Sequence, residues 1–170
     1  MRRRTVLILA GLGGALTLAV AGAIAHGNEA GKAEATIGNA KVTIVYGRPT
    51  LKGRDINKLI QPGQIWRIGA DMATTIESDA DLDFGGTRVP KGKHVLLAHF
   101  IAPGQWTLVV SSEPVNHYAP AAKLAEVPMQ VEEQPSVDEL SINLASQGGS
   151  GTIEIAWGTA KLSASFKPAS

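Results

Sequence analysis

The 170-residue sequence contains no cysteine, few aromatic residues and no stretch with the periodicity of a long amphipathic helix. The absence of cysteine excludes disulfide bonds, thiolate nucleophiles and cysteine-ligated metal sites. Aromatic residues make up only 5% of the chain whereas hydrophobic residues make up 44%, so aliphatic side chains must supply most of the core. The 19 glycines and 9 prolines favour a chain with many turns over one with long helices.

A strong excess of positive charge is also absent. The formal net charge is +1, and this value includes three arginines within residues 1–25, a segment that has no acidic residue. Without these three, 13 of the 16 basic residues remain against 15 acidic ones, which leaves the rest of the chain slightly negative. Because nucleic-acid binding requires a strongly positive surface, we expect no nucleic acid among the partners.

The first 25 residues have the pattern of an export signal. Three arginines at positions 2–4 precede an uncharged apolar run that ends in the small-residue sequence Ala-Ile-Ala at 23–25. We predict a signal peptide over residues 1–25, cleavage near Ala25, and export to the periplasm or the extracellular space. An uncleaved membrane anchor is the alternative, because the run is about as long as the ~20 residues that span a bilayer. The paired arginines leave open both the general and the twin-arginine export route.

The remainder of the chain predicts one β-rich domain. Residues 26–35 are small and polar and predict a flexible tether. Residues 36–168 contain about ten short runs of alternating apolar and polar residues bounded by glycine or proline, which is typical of β-strands. Residues 47–64 break this pattern and predict one long irregular loop. We therefore predict an all-β fold, an antiparallel β-sandwich that is jelly-roll-like and has little helix.

The densest mixture of cationic, aromatic and glycine residues in the sequence lies at 46–75. Guanidinium groups present rigid donor forks suited to carboxylate or phosphate, and an aromatic ring and a hydroxyl would complete a site for a small anion or a sugar. The candidate ligand-binding residues are Tyr46, Arg48, Lys52, Arg54, Trp66, Arg67 and Thr74. A structural interpretation competes with this one and is somewhat favoured, because arginines also order loops by binding carbonyl groups and carboxylates, here Asp55 or Asp71.

Two other groups of side chains resemble metal ligands without predicting a metal site. Four carboxylates at alternate positions from 77 to 83 share one face of an extended segment, where ligands diverge. We therefore expect these carboxylates to face solvent and to pair with nearby basic residues rather than to bind calcium. The basic residues are Arg88, Lys91 and Lys93. His94 and His99 point to opposite faces of one strand, which argues against a shared zinc ion. We expect no metal and no cofactor.

Three stretches of the sequence resemble a known family. They are YGRPTLKGRDI (46–56), PGQIWRIGADMATTI (62–76) and GTRVPKGKHVLLAHFIAPGQWTLVV (86–110). Over residues 36–166 the chain resembles the DUF2911 family, a group of exported bacterial domains without an assigned function. The matched motif positions are Tyr46, Arg48, Pro49, Lys52, Gly53, Arg54, Trp66, Arg67, Gly69, Ala70, Ala73 and Thr74. His94 replaces the usual aromatic residue, and the segment after Asn116 lacks the usual tryptophan-glycine pair.

These observations favour a binding protein over an enzyme. The chain has neither a G-x-S-x-G nucleophile motif nor a glycine-rich phosphate loop. We expect an exported cell-envelope binding or interaction module that recognises a small anionic or sugar-like ligand, or an envelope protein, through the Arg48–Thr75 region. A hydrolase acting on envelope material and a structural domain without a ligand are the alternatives. Membrane contact is expected only through the N-terminal segment, if that segment stays uncleaved.

Overall fold

The computed structural model describes residues 28–170, and the predicted signal peptide lies outside the described residues. The prediction of an antiparallel all-β fold with little helix is confirmed. One helical turn, α1 (Ile56–Leu59), and two 3-10 helices at Val115–His117 and Pro120–Ala122 interrupt the strands. The ten strands are β1 (Glu29–Ile37), β2 (Ala40–Arg48), β3 (Ile65–Trp66), β4 (Thr75–Ser78), β5 (Leu82–Phe84), β6 (Thr87–Val89), β7 (Gly92–Ala102), β8 (Gln105–Ser111), β9 (Lys123–Gln147) and β10 (Ser150–Pro168).

All ten strands belong to one open sheet with the order β1-β2-β4-β7-β8-β9-β10-β5-β6, and β3 pairs with β7. Strand β9 is long enough to belong to both halves of the sheet. Its residues 123–129 pair with β8, and its residues 130–147 pair with β10. The segment that follows β2 forms backbone hydrogen bonds with β9. Leu51 N donates to the Asp138 carbonyl (2.9 Å), and Leu140 N donates to the Pro49 carbonyl (3.0 Å). The two halves of the sheet therefore enclose one core.

Alternate side chains of the strands fill that core, as the period-2 pattern predicts. Trp157 in β10 stacks almost parallel to Trp66 in β3, with ring centroids 5.6 Å apart. The rings of Trp106 and Trp66 are steeply inclined to each other, at 70°, with centroids 6.2 Å apart. The aliphatic part of the core includes Val42, Ile44, Ile76, Leu96, Ala98, Leu108, Leu140, Ile153 and Ile155.

The predicted tether at residues 26–35 is wrong for its described part. Residues 29–35 form most of β1, which pairs with β2 from Glu29↔Arg48 to Ile37↔Ala40. The strand is hard to recognise in the sequence because its inward positions before Ile37 carry only small side chains. A side chain at Gly31 would collide with the ring of Tyr46, so a glycine is required there. The absence of a side chain at Gly31 in β1 thus leaves space for the large ring of Tyr46 in β2.

The predicted irregular loop at 47–64 is present after Arg48, the last residue of β2, and contains α1. The carboxylate of Asp55 accepts a hydrogen bond from Asn57 N (2.9 Å) and caps this helical turn. The exposed Asp55 is therefore a capping residue in this structure. Within residues 28–170 no helix has the length and hydrophobicity needed to cross a membrane.

The face of the sheet opposite the main core carries a smaller apolar cluster. Leu97 and Val109 are fully buried and pair directly across β7 and β8, yet they lie outside the main core. The connection between β8 and β9 covers this face and is closed by a hydrogen bond from Ser112 N to the Ala122 carbonyl (2.9 Å). A second layer of contacts therefore forms here, and the candidate site lies at its edge.

Candidate functional site

The segment between β3 and β4, residues 67–74, has an unusual backbone and is named the site loop here. Ile68 and Asp71 adopt left-handed conformations, with φ values of 53° and 66°. For a β-branched residue such as Ile68 this costs roughly 1–3 kcal/mol, so the surroundings must enforce it. Ile68 is fully buried, and its carbonyl accepts a hydrogen bond from the Thr74 hydroxyl at 2.7 Å. Backbone strain of this kind is frequent at binding sites.

Two glycines hold the site loop against β2. A side chain at Gly47 would collide with the carbonyl of Ala70, and a Cβ at Gly69 would lie 2.9 Å from the Gly47 carbonyl oxygen. The backbones of the two segments therefore touch directly, which only glycine allows. The sequence motifs YGR and WRIGA thus meet in space, and their contact fixes the backbone between Arg67 and Asp71.

The site loop, β7 and the β8–β9 connection enclose a cleft of about 250 Å³. Its apolar lining comes from Val95, Leu97, Pro114 and Val115. Its polar lining comes from Arg67, Asp71, Thr74 and Asn116. The lining therefore combines apolar and polar groups, as the lining of a small-molecule site does.

The two charged residues of the cleft differ in how they are held. Asp71 Oδ2 accepts hydrogen bonds from the backbone N (2.7 Å) and the side-chain Nδ2 (2.9 Å) of Asn28. These bonds, and then the nearby Arg67 guanidinium, hold the pKa of Asp71 below its ordinary range. Arg67 is exposed, and its guanidinium makes no hydrogen bond or ion pair with any residue of the described chain from 28 to 170. The cleft therefore contains a fixed carboxylate and a cation that is available to a ligand.

Arg48 and Arg54, by contrast, have partners inside the protein. Arg48 Nη2 lies 2.7 Å from Glu139 Oε2, and its Nε donates to the Leu140 carbonyl at 3.4 Å. Arg54 donates to the carbonyls of Leu51 (2.8 Å) and Thr50 (3.1 Å). Arg48 and Arg54 therefore have the structural role that competes with ligand binding, because they bind carbonyl groups and a carboxylate of the protein itself. That carboxylate belongs to Glu139, the partner of Arg48, and not to Asp55 or Asp71.

Three further candidates lie outside the cleft lining. Tyr46 is buried, and its hydroxyl oxygen accepts a hydrogen bond from Ile142 N at 2.9 Å. Trp66 belongs to the aromatic stack of the main core. Lys52 is exposed on the loop after β2, and its backbone N donates to Asp138 Oδ1 (2.8 Å). Of the seven predicted ligand-binding residues, the cleft brings together Arg67 and Thr74.

The carboxylates at positions 77–83 each have their own partner. Glu77 pairs with Lys93 (3.6 Å) and Asp81 with Arg88 (2.7 Å), both among the basic residues that the sequence indicates. Asp83 lies 3.9 Å from Lys167, and Asp79 accepts from Lys41 N at 2.8 Å. Among the described residues, no group of three histidines or acidic residues is placed to hold a metal ion.

A comparison with protein families identifies the domain. A family model described as "Protein of unknown function (DUF2911)" matches residues 28–166. The chain belongs to the DUF2911 family. The match covers most of the chain, confirms the resemblance seen in the motifs, and includes all of β1. No curated protein and no solved structure matches the sequence.

The cleft of this DUF2911 domain also uses residues that the sequence does not single out. Val95 and Leu97 contribute through the second face of β7, and Pro114, Val115 and Asn116 through the β8–β9 connection. One feature of the sequence indicates the contribution from β7. The run His94–Ile101 is apolar at both odd and even positions, which indicates that both faces of this strand are covered.

Proposed function

We propose that this DUF2911 domain is an exported binding module of the cell envelope that holds a small anionic or sugar-like ligand in the cleft at Arg67. One observation carries the proposal. Among the three arginines of the sequence motifs, Arg48 and Arg54 are bound to internal groups, while Arg67 lines a cleft and has no partner within the described chain. A guanidinium group without a protein partner can donate hydrogen bonds to a ligand carboxylate or phosphate.

The surroundings of Arg67 favour a bound ligand over bulk water. The strained backbone of Ile68 and the contact between Gly47 and Ala70 fix the backbone of the site loop before a ligand arrives, so little backbone entropy is lost on binding. The hydroxyl of Thr74 is fully buried and donates to the Ile68 carbonyl, so it supports the site loop, whereas the exposed Asn116 brings a side-chain amide to the cleft. This amide suits the hydroxyls of a sugar-like ligand as well as an anion.

Export is the second part of the proposal and is supported by the arginines at 2–4, the apolar run and the Ala-Ile-Ala sequence before His26. N-terminal sequencing of protein recovered from the periplasmic or culture fraction is expected to begin at His26. Recovery of the intact chain with Met1 from the membrane fraction would support the uncleaved anchor instead.

A thermal-shift screen tests the binding function. Purified protein is melted with carboxylates, inorganic phosphate, neutral sugars and divalent metals, because a ligand of the native state raises the melting temperature. We expect at least one carboxylate or sugar to stabilise the wild type and the variant Arg88→Gln, which loses a surface charge elsewhere. Arg67→Gln should show no such stabilisation. An equal shift in Arg67→Gln would place the ligand elsewhere and contradict the proposal.

A further inference from the structure

We propose that the ligand of this cleft is a zwitterion, a free α-amino acid with an apolar side chain, bound through its carboxylate to Arg67 and through its ammonium group to Asp71. This inference rests on the proposed function and names its ligand class. It follows from three features of the cleft: two opposite charges that do not pair, a carboxylate oxygen with no protein donor, and an apolar lining.

The opposite charges of Arg67 and Asp71 lie in one cleft but do not form an ion pair. The two residues both line the cavity, and within residues 28–170 no contact of 4 Å or less joins their charged atoms. The backbone between them is nevertheless fixed, because Asp71 is tied to Asn28 and the site loop is held by Gly47. A guanidinium without a protein partner beside a fixed carboxylate matches a ligand whose own carboxylate and ammonium groups are neighbours.

The carboxylate of Asp71 retains one oxygen for a ligand. Both hydrogen bonds from Asn28 go to Oδ2, and Oδ1 has no donor among the described residues. Ionised Asp71 is therefore an acceptor with unused capacity beside the cleft. A ligand that carried only negative charge would approach this carboxylate at an electrostatic cost, whereas an ammonium group would remove that cost.

The remaining lining fits the side chain of an apolar amino acid. Val95 and Val115 offer an aliphatic surface, and the fully buried Leu97 lies beneath it. The cleft of about 250 Å³ is smaller than the ~300–1,000 Å³ that is usual for sites of drug-sized ligands. Its size therefore suits a single amino acid.

Isothermal titration calorimetry with three matched compounds tests the inference. The compounds are leucine, isocaproate (leucine without its ammonium group) and isoamylamine (leucine without its carboxylate). The wild-type full chain is expected to bind leucine on the order of tenfold more tightly than isocaproate, because a charge-assisted hydrogen bond is worth about that factor. Isoamylamine should bind more weakly than leucine as well.

The variant Asp71→Asn assigns the ammonium site. Asparagine tolerates the left-handed backbone at this position and still accepts hydrogen bonds from Asn28, so the loop should keep its shape. We expect this variant to lose the preference for leucine over isocaproate, whereas the matched control Asp79→Asn, outside the cleft, should keep it.

The outcomes separate this inference from the proposed function. If isocaproate binds the wild type as tightly as leucine does, and Arg67→Gln abolishes both, the zwitterion is excluded while an anion site at Arg67 stands. If Asp71→Asn keeps the full preference for leucine, the assignment to Asp71 is overturned. If the wild type binds none of the three compounds, the inference is also overturned, and the fate of the proposed function then depends on the wider thermal-shift screen.

Discussion

Arg48 in β2 and Glu139 in β9 form an ion pair of 2.7 Å that joins the two halves of the sheet. The Nε group of the same arginine reaches the carbonyl of Leu140, so a motif arginine bridges two strands that are distant in sequence. Arg67, in the other motif, lines the cleft instead. The cationic stretch at 46–75 therefore contains both structural arginines and a candidate ligand-binding arginine.

The first prediction separates these two roles by stability. Arg48→Ala should lower the free energy of unfolding by about 1–2 kcal/mol, because the pair with Glu139 is partly exposed and one hydrogen bond is lost with it. Arg67→Ala should change it by less than about 0.5 kcal/mol. Urea denaturation followed by circular dichroism measures both values, and a larger loss for Arg67→Ala would contradict the assignment. In a double-mutant cycle, Arg48 and Glu139 should be non-additive.

Gly47 provides the second prediction. Gly47→Ala should destabilise the protein by about 3 kcal/mol, because the new methyl group meets the Ala70 carbonyl and neither backbone can move freely. Gly53→Ala is the matched control, since Gly53 has a positive φ of 76° but open space around it. We expect that control to cost about 1 kcal/mol from backbone conformation alone. Equal losses in the two variants would show that close packing at Gly47 is not the cause.

The third prediction concerns the aromatic stack. Trp157→Ala should lower the free energy of unfolding by about 3–5 kcal/mol, because a buried ring packed on Trp66 is removed. Trp157→Phe keeps a ring but loses the hydrogen bond from Nε1 to the Asp138 carbonyl (3.0 Å), and should cost less. Circular dichroism melts compare the three proteins. An unchanged melting temperature for Trp157→Ala would mean that β10 is placed incorrectly.

Much of the fold is encoded in local sequence patterns. Alternation predicts the strands of the main core, and the glycine pair at 85–86 predicts the hairpin of β5 and β6. Alternation does not predict β1 because its inward residues before Ile37 are small, and Gly31 leaves space for the ring of Tyr46 in the neighbouring strand. Local sequence patterns therefore identify strands that have large apolar side chains of their own. They miss a strand whose small inward residues pack against a large side chain of the neighbouring strand.

The candidate site is only partly predictable for the same reason. Arg67 and Thr74 follow from the chemistry of one stretch, but the partner of Arg48 lies in β9 and only the fold brings it close. The contribution of Pro114 and Val115 depends on how the β8–β9 connection covers the outer face of the sheet. Side-chain chemistry can be seen in a sequence, whereas pairing across distant segments depends on the folded structure.

The fourth prediction concerns acid sensitivity at Glu126 in β9. Burial favours its protonated form, but hydrogen bonds from Lys123 and Thr107, each 2.6 Å long, outweigh burial and hold the pKa below the ordinary value of 4.5. Because this pKa is lowered by folding, the resulting stability is present above pH 4.5 and is lost as the pH falls through the folded-state pKa.

Glu126→Gln should accordingly be less stable than the wild type at pH 7, by about 1 kcal/mol. The difference should shrink as the pH falls below 4.5, since the wild-type carboxylate becomes protonated. Urea denaturation at several pH values between 7 and 3 measures this. A difference that stays constant over the range would mean that the charge of Glu126 contributes no stability.

The central claim is that Arg67, and not Arg48 or Arg54, meets the ligand. Nuclear magnetic resonance of protein labelled with nitrogen-15 in its arginines tests it directly, with the Arg67 signal assigned by its absence in Arg67→Gln. During titration with leucine or isocaproate, the Arg67 Nε–H resonance should shift progressively, while those of Arg48 and Arg54 stay in place because their protons are engaged with protein acceptors. A shift of the Arg48 or Arg54 resonance with an unchanged Arg67 resonance would contradict the account.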